Sequence, residues 1–162
     1  MKTLSAPALF FMAWTSSVGQ VPKTLDFNEA EKRIVRLPPT AFPELPRNLS
    51  SELRRRGCGI PQDAFSKKPA NVIRGHFAAA NQTDWAVLCS AKGISTILVF
   101  WNGSEKNPAA IAPMQDRMFL QGITADQIGF SRGINAVGRE YIMRHYEAWG
   151  PEAAGDRSSG NR

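Results

Sequence analysis

The chain has 162 residues, 43% of them hydrophobic and 21% charged, with 20 lysines and arginines against 14 aspartates and glutamates. That length supports one domain with a hydrophobic core, and the net charge of +6 rests on mostly dispersed basic residues, with clusters at Arg54-Arg55-Arg56 and Lys67-Lys68. Neither cluster carries the interleaved aromatic side chains on which a single-stranded nucleic-acid groove stacks bases, which argues against nucleic acid as a partner.

Residues 1–19 have the layout of a secretory signal peptide: a basic start at Lys2, an apolar run from Leu4 to Trp14, and small residues ending at Gly19. Ser17 and Gly19 stand where a signal peptidase accepts only small side chains, so cleavage is expected at Gly19–Gln20. The apolar run falls short of the roughly 20 residues that a membrane-spanning helix requires, and no later stretch supplies one. The expected location is therefore secreted or periplasmic. Loss of residues 1–19 would remove one basic residue, Lys2, and no acidic one.

Residues 20–46 read as an extended, proline-rich lead-in. Asp26 to Val35 suits a short helix, with Asn28 or Asp26 as its cap and Glu29 and Glu31 near its positive end. Pro38, Pro39, Pro43 and Pro46 then block regular structure, and this segment is expected to lie across the domain, anchored through Phe42 and Leu45. The domain proper spans 47–150. A helix over 47–56 places Leu49 and Leu53 on one face and ends at Gly57, the residue type that takes a left-handed stop without strain. The arginine triplet then reads as a solvated helix end.

The middle of the chain reads as β-structure. A strand is expected over 72–77 and a hairpin over 84–101, whose arms 84–90 and 94–101 are joined by Ala91-Lys92-Gly93. Trp85, Val87 and Cys89 share one face of the first arm. The second arm is apolar on both faces, as a covered, central strand would be. Residues 105–113 read as a loop and 117–121 as a further strand. A last helix is expected over 134–149, where Ile134, Val137, Tyr141, Ile142, His145 and Trp149 recur at helical spacing, before Gly150 and Pro151 stop it. Residues 151–162 are small, polar and charged, and read as a disordered tail. The fold class is thus α+β: a small antiparallel sheet packed with an N-terminal and a C-terminal helix.

Cys58 and Cys89 are the only cysteines. In an oxidising compartment an even count implies a bridge. That bridge would tie the end of the 47–56 helix to the hairpin face carrying Trp85 and Val87. Neither cysteine has a spacing that suggests zinc.

The run Gly75-His76-Phe77, then Asp84-Trp85-Ala86-Val87-Leu88 and Ile97-Leu98-Val99, resembles a single degenerate unit of the FG-GAP or VCBS repeats. The resemblance implies a β-hairpin entered through a tight glycine turn. The calcium loop of those repeats is not reproduced, because here Asp84 is its only carboxylate, and Ca²⁺ requires six to eight oxygen ligands. More broadly, Arg56-Gly57-Cys58-Gly59-Ile60-Pro61-Gln62, Thr83–Cys89 and Asp126-Gln127-Ile128-Gly129-Phe130 are similar to stretches of small exported bacterial proteins of unknown function. That likeness implies export and a disulfide, with further β-structure where this chain has its polar tail.

Catalytic material is sparse. His76 and Asp84 are the weak candidates for an acid–base pair, and His145 falls on the apolar stripe of the last helix. No serine lies in a nucleophile elbow, and Asp84, Asp116 and Asp126 have no evident carboxylate partner for glycosidase-type chemistry. Core packing is the expected role of Trp85, Trp101 and Trp149. Asn48, Asn81 and Asn102 begin Asn-x-Ser/Thr triplets and mark loops. The chain reads as a non-catalytic binding or structural module with an extracytoplasmic partner, and with neither cofactor nor metal. The competing readings are a hydrolase using His76 and Asp84, and an electrostatic binder of anionic polymers, whose binding would fall steeply with salt.

Overall fold

The computed structural model describes residues 26–149. The signal peptide expected over 1–19 and the disordered tail expected over 151–162 lie outside the described residues. The architecture is α+β. In chain order it comprises α1 (Phe27–Lys32), β1 (Arg36–Leu37), α2 (Arg47–Arg55), β2 (Ile60–Pro61), β3 (Val72–Gly75), β4 (Asp84–Ala91), β5 (Ile94–Phe100), β6 (Ala109–Gln115), β7 (Leu120–Gly122), β8 (Ile128–Phe130) and α3 (Arg139–Trp149). Strands β3-β4-β5-β6 form an antiparallel sheet in that order, and β1-β2 and β7-β8 are separate two-stranded antiparallel pairs.

The β4–β5 hairpin is the frame. Its register runs from Trp85 opposite Phe100 to Ala91 opposite Ile94. Lys92 and Gly93 both take positive φ at the turn, which matches the twist of the two strands. As expected, β5 is central, flanked by β4 and β6.

One face of the sheet carries Trp85, Val87, Cys89, Leu98 and Phe100, packed against Leu49 and Leu53 of α2 and against Phe42 and Leu45. The proline-rich segment is therefore anchored by the two apolar residues expected to do so, and a turn of 3₁₀ helix at Pro39–Ala41 buries Pro39 as well. Helix α2 stops where Gly57 takes φ +68°. Arg55 and Arg56 both pair with Glu52 at 2.7 Å; Arg55, then Arg56, holds that carboxyl down at about 2. Two arginines of the triplet are thus spent within their own helix end, as the solvated reading requires.

Cys58 and Cys89 are bridged, with Cα atoms 5.3 Å apart, inside the usual range. Beside the bridge, Gly59 and Ser90 exchange both backbone hydrogen bonds, at 2.9 and 2.8 Å. The staple joins α2 to the sheet face that α2 covers.

The opposite face departs from expectation. Residues 105–113 are not all loop: β6 begins at Ala109 and pairs with β5 as an edge strand, interrupted by a bulge where Ala112 takes φ +50°. Its small residues and Pro113 give no alternating pattern, and an edge tolerates proline because one side of the backbone needs no partner. The strand expected over 117–121 is mostly a 3₁₀ turn, Asp116–Phe119, and only Leu120 and Gln121 enter β7.

The last helix starts at Arg139 rather than 134, just beyond Gly138. Ile134 instead joins the cluster of Ile34, Leu88, Phe130, Ile97, Phe119 and Leu120, with its N–H donated to Asn71 Oδ1 at 2.8 Å. That cluster, drawn from α1's end, the β7–β8 hairpin and the 131–134 segment, covers the second face of the sheet. The C-terminal helix is present, but Tyr141, Ile142, Met143 and Tyr146 are exposed, so its stripe does not cover the sheet as expected. His145 stacks on Tyr141 with ring centroids 3.9 Å apart. Among the described residues no helix is long and apolar enough to cross a membrane.

Candidate functional site

His76 and Asp84 lie at the end of β3 and the start of β4. The chain leaves β3 at Gly75, turns, and returns at Asp84, whose side chain is fully buried. Asp84 Oδ2 accepts the backbone N–H groups of Phe77 at 2.8 Å and Ala78 at 3.0 Å. Its Oδ1 accepts the N–H of Asn102 at 2.8 Å and the side-chain amide of Gln82 at 2.5 Å. Burial pushes this carboxyl up, but the donors from Asn102, Gln82, Ala78 and Phe77 together outweigh it and hold the pKa below the ordinary value. Asn102, at φ +51°, aims its N–H at the carboxylate from a left-handed backbone.

His76 is exposed, and its Nδ1 meets the Gln82 carbonyl rather than Asp84. The two weak catalytic candidates are neighbours, but the structure does not join them as an acid–base pair. With two donors on each oxygen, Asp84 is a structural anion that ties the 76–84 turn to the 101–103 turn. Those lone pairs are also the ones a cation would need. Among the described residues no group of three or more His, Cys, Asp or Glu is placed to hold a metal ion.

The tryptophans divide. Trp85 is buried in the first core, whereas Trp101 is exposed; the side chain of Trp149 lies outside the described residues. Asn48 donates its amide to the Gly103 carbonyl at 2.9 Å and to Glu105 at 2.7 Å.

A concavity lies elsewhere, between α1, the 62–69 loop and the β7–β8 hairpin, with a volume of about 780 Å³. Ligand sites occupy roughly 300–1,000 Å³. Ile34, Leu37, Ile128 and Phe130 give it an apolar floor, and Arg33, Lys67 and Lys68 stand on its rim with the carboxylates of Asp26, Glu29, Asp63 and Asp126. Those carboxylates are engaged. Asp26 caps α1 through the N–H groups of Asn28 and Glu29, and Glu29 pairs with Lys32. Asp63 accepts from Phe65 N–H and the Ser66 hydroxyl, and Asp126 accepts from the Thr124 hydroxyl. Arg33, Lys67 and Lys68 form no salt bridge among the described residues.

The cleft holds its shape through backbone bonds between its walls. Gln62 N–H reaches the Val35 carbonyl at 2.9 Å, and Ala64 N–H reaches the Phe130 carbonyl at 2.8 Å. Gly129 is required at the second contact, since a Cβ there would fall 2.4 Å from that of Ala64. Neither of the chain's two histidines lines the cleft, so Ser66, held by Asp63, has no imidazole base to activate it. The arrangement suits binding by apolar contact, hydrogen bonds and charges of both signs.

The sequence marks several fragments of this cleft, among them the Asp26–Val35 helix, Lys67-Lys68 and Asp126–Phe130, without indicating that they meet. No protein-family model, curated protein or solved structure matches the chain.

Proposed function

We propose that this protein is a non-catalytic, exported binding module whose ligand occupies the cleft between α1, the 62–69 loop and the β7–β8 hairpin. The observation that carries the reading is the cleft itself: an apolar floor under a rim of both charges. A short peptide segment, carrying apolar and charged side chains together, is the class of ligand that such a surface complements. The Asp84 carboxylate, with four donors directed at it, supports a structural rather than a hydrolytic role for the His76 turn. Export is supported by the layout of residues 1–19 and by the Cys58–Cys89 bridge, which belongs in an oxidising compartment.

Two measurements test this. N-terminal sequencing of protein recovered from outside the cytoplasm should begin at Gln20; an intact Met1 on protein confined to the cytoplasm would refute export. A mixture of short synthetic peptides titrated into ¹⁵N-labelled protein should shift the amides of Ala64, Gln127 and Ile128. Shifts gathered instead around His76 and Asn102 would refute the cleft.

A further inference from the structure

The walls of the cleft are carried by segments that also meet behind it, in a buried polar cluster on the second face of the sheet. Ser90 of β4 and Ser95 of β5 are register partners at the turn end of the hairpin, and both are buried. Arg36, which follows the α1 wall, donates Nε to Ser90 Oγ at 3.1 Å and Nη2 to Asp116 Oδ2 at 2.7 Å. A third bond, Nη1 to the Ile34 carbonyl at 3.2 Å, grips the backbone of a cleft-floor residue.

From the other side, Arg132 follows the β8 wall by two residues. It donates Nη1 to the carbonyl and hydroxyl of Ser95, at 2.7 and 2.8 Å, and Nη2 to the Ala112 carbonyl at 2.5 Å. Its guanidinium also lies 4.6 Å from the centre of the Phe119 ring.

Asp116 belongs to the Arg36 side of the cluster. It is fully buried, accepts the Ser90 hydroxyl at 2.5 Å, and is fixed to the hairpin turn by its own N–H, 2.9 Å from the Gly93 carbonyl. Its second oxygen, Oδ1, is buried with no hydrogen-bond partner. A buried carboxylate oxygen left unpaired is costly, and positive charge nearby offsets part of that cost. Arg36 touches the carboxylate directly. Arg132 is drained by burial, which lowers its pKa, and Asp116 acts on it electrostatically in the opposite direction.

We infer that Ser90, Ser95 and Asp116 form one shared anchor through which Arg36 and Arg132 hold the two walls of the cleft at a fixed separation, so that loosening either arginine releases both walls. The significance of the anchor rests on the cleft reading above. Its test needs no ligand, so the two can fail separately. These are positioning residues: none of the five lines the cleft.

Native-state hydrogen exchange on the full chain with Arg36→Gln and with Asp116→Asn decides the matter. The reporters are the two amides that stitch the walls, Gln62 to Val35 and Ala64 to Phe130, and two that close the β7–β8 wall, Ile123 to Gln127 and Ser131 to Phe119. In both variants all four should exchange at least tenfold faster, while the central amides of β4 and β5 keep their rates. Arg36→Gln retains the Asp116–Ser90 contact and the β8-side bonds of Arg132, and so serves if Asp116→Asn does not fold. Three outcomes would overturn the inference: acceleration in Arg36→Gln confined to Gln62, unchanged rates at Ser131 and Ile123, or equal acceleration throughout β4 and β5.

Discussion

Replacing Asp84 by asparagine keeps the shape of the side chain and removes its charge and one acceptor atom. In the native turn each carboxylate oxygen receives two donors. The amide of the variant does best with its oxygen toward Phe77 and Ala78, which turns its NH₂ toward Asn102 and Gln82. Gln82 can present its own oxygen in response, but the Asn102 N–H cannot, and it is left facing a donor. An unsatisfied amide of this kind costs about 1–3 kcal/mol. The bonds from Phe77 and Ala78 lose their charge assistance, worth about 0.5–1 kcal/mol each. Phe77 and Ala78 lie near the surface, where water replaces part of that loss, so Asp84→Asn should cost about 2–4 kcal/mol.

Urea unfolding followed by the fluorescence of buried Trp85 measures that cost. A pH series adds a sign. Because the folded pKa of Asp84 lies below its unfolded value, the unfolded chain takes up the proton first. The contribution of Asp84 is therefore complete above pH about 4 and is lost as the pH falls through the lowered folded value. Asp84→Asn should lack that acid-sensitive component. His76→Ala, at an exposed position, should cost under about 0.5 kcal/mol. A loss below about 0.5 kcal/mol for Asp84→Asn, or an equal loss for His76→Ala, would refute the structural-anion assignment.

Adding millimolar Ca²⁺ should leave the melting temperature unchanged, because Asp84 has no oxygen lone pair left to give; a rise of several degrees reversed by EDTA would count against that accounting. Replacing Cys58 and Cys89 together by serine should lower stability by roughly 3–4 kcal/mol on the chain-entropy model for a separation of 31 residues, and peptide mapping without reductant should recover the two cysteines joined. Gly129→Ala must push its new methyl against Ala64, 2.4 Å away, and against Ile123, 3.1 Å away. It should cost about 1–3 kcal/mol by overpacking, with the largest amide shifts in the 62–69 loop and β8.

What could be read from the chain alone was local. The 47–56 helix followed from two leucines four apart and a glycine stop, and the β4–β5 hairpin from alternation on one side of a Lys-Gly turn. The pairing of the cysteines needed only their number and a compartment, and Cys89's place beside Trp85 and Val87 then identified the covered face. Errors began where local signals were ambiguous. Ile134 and Val137 fit a helical period, yet Gly133 and Gly138 bracket them, and the Asn71 side chain takes the Ile134 amide. The alanines of β6 carry no alternation, and only pairing with the already formed β5 makes them a strand. Tertiary context decides such segments, because their own propensities favour nothing strongly.

The cleft and the anchor behind it belong to a different kind of information. Arg36 meets Asp116 across 80 positions and Arg132 meets Ser95 across 37, and neither distance has a periodic signature. Asp116 looks isolated in the sequence because its partners are the guanidinium of Arg36 and the hydroxyl of Ser90 on other elements, not a second carboxylate nearby. One signal was nevertheless present. In β4, Ala86 and Leu88 are buried on the second face and Ser90 follows them, while Ser95 opens the same face of β5. A serine at a position where alternation calls for an apolar side chain is a polar group about to be buried, and a buried hydroxyl requires a partner. Two such serines in register at one end of a hairpin predict a polar cluster there. The charged residues that supply it must then come from whatever covers that face, which is how Arg36 and Arg132 tie the walls of the cleft to the sheet.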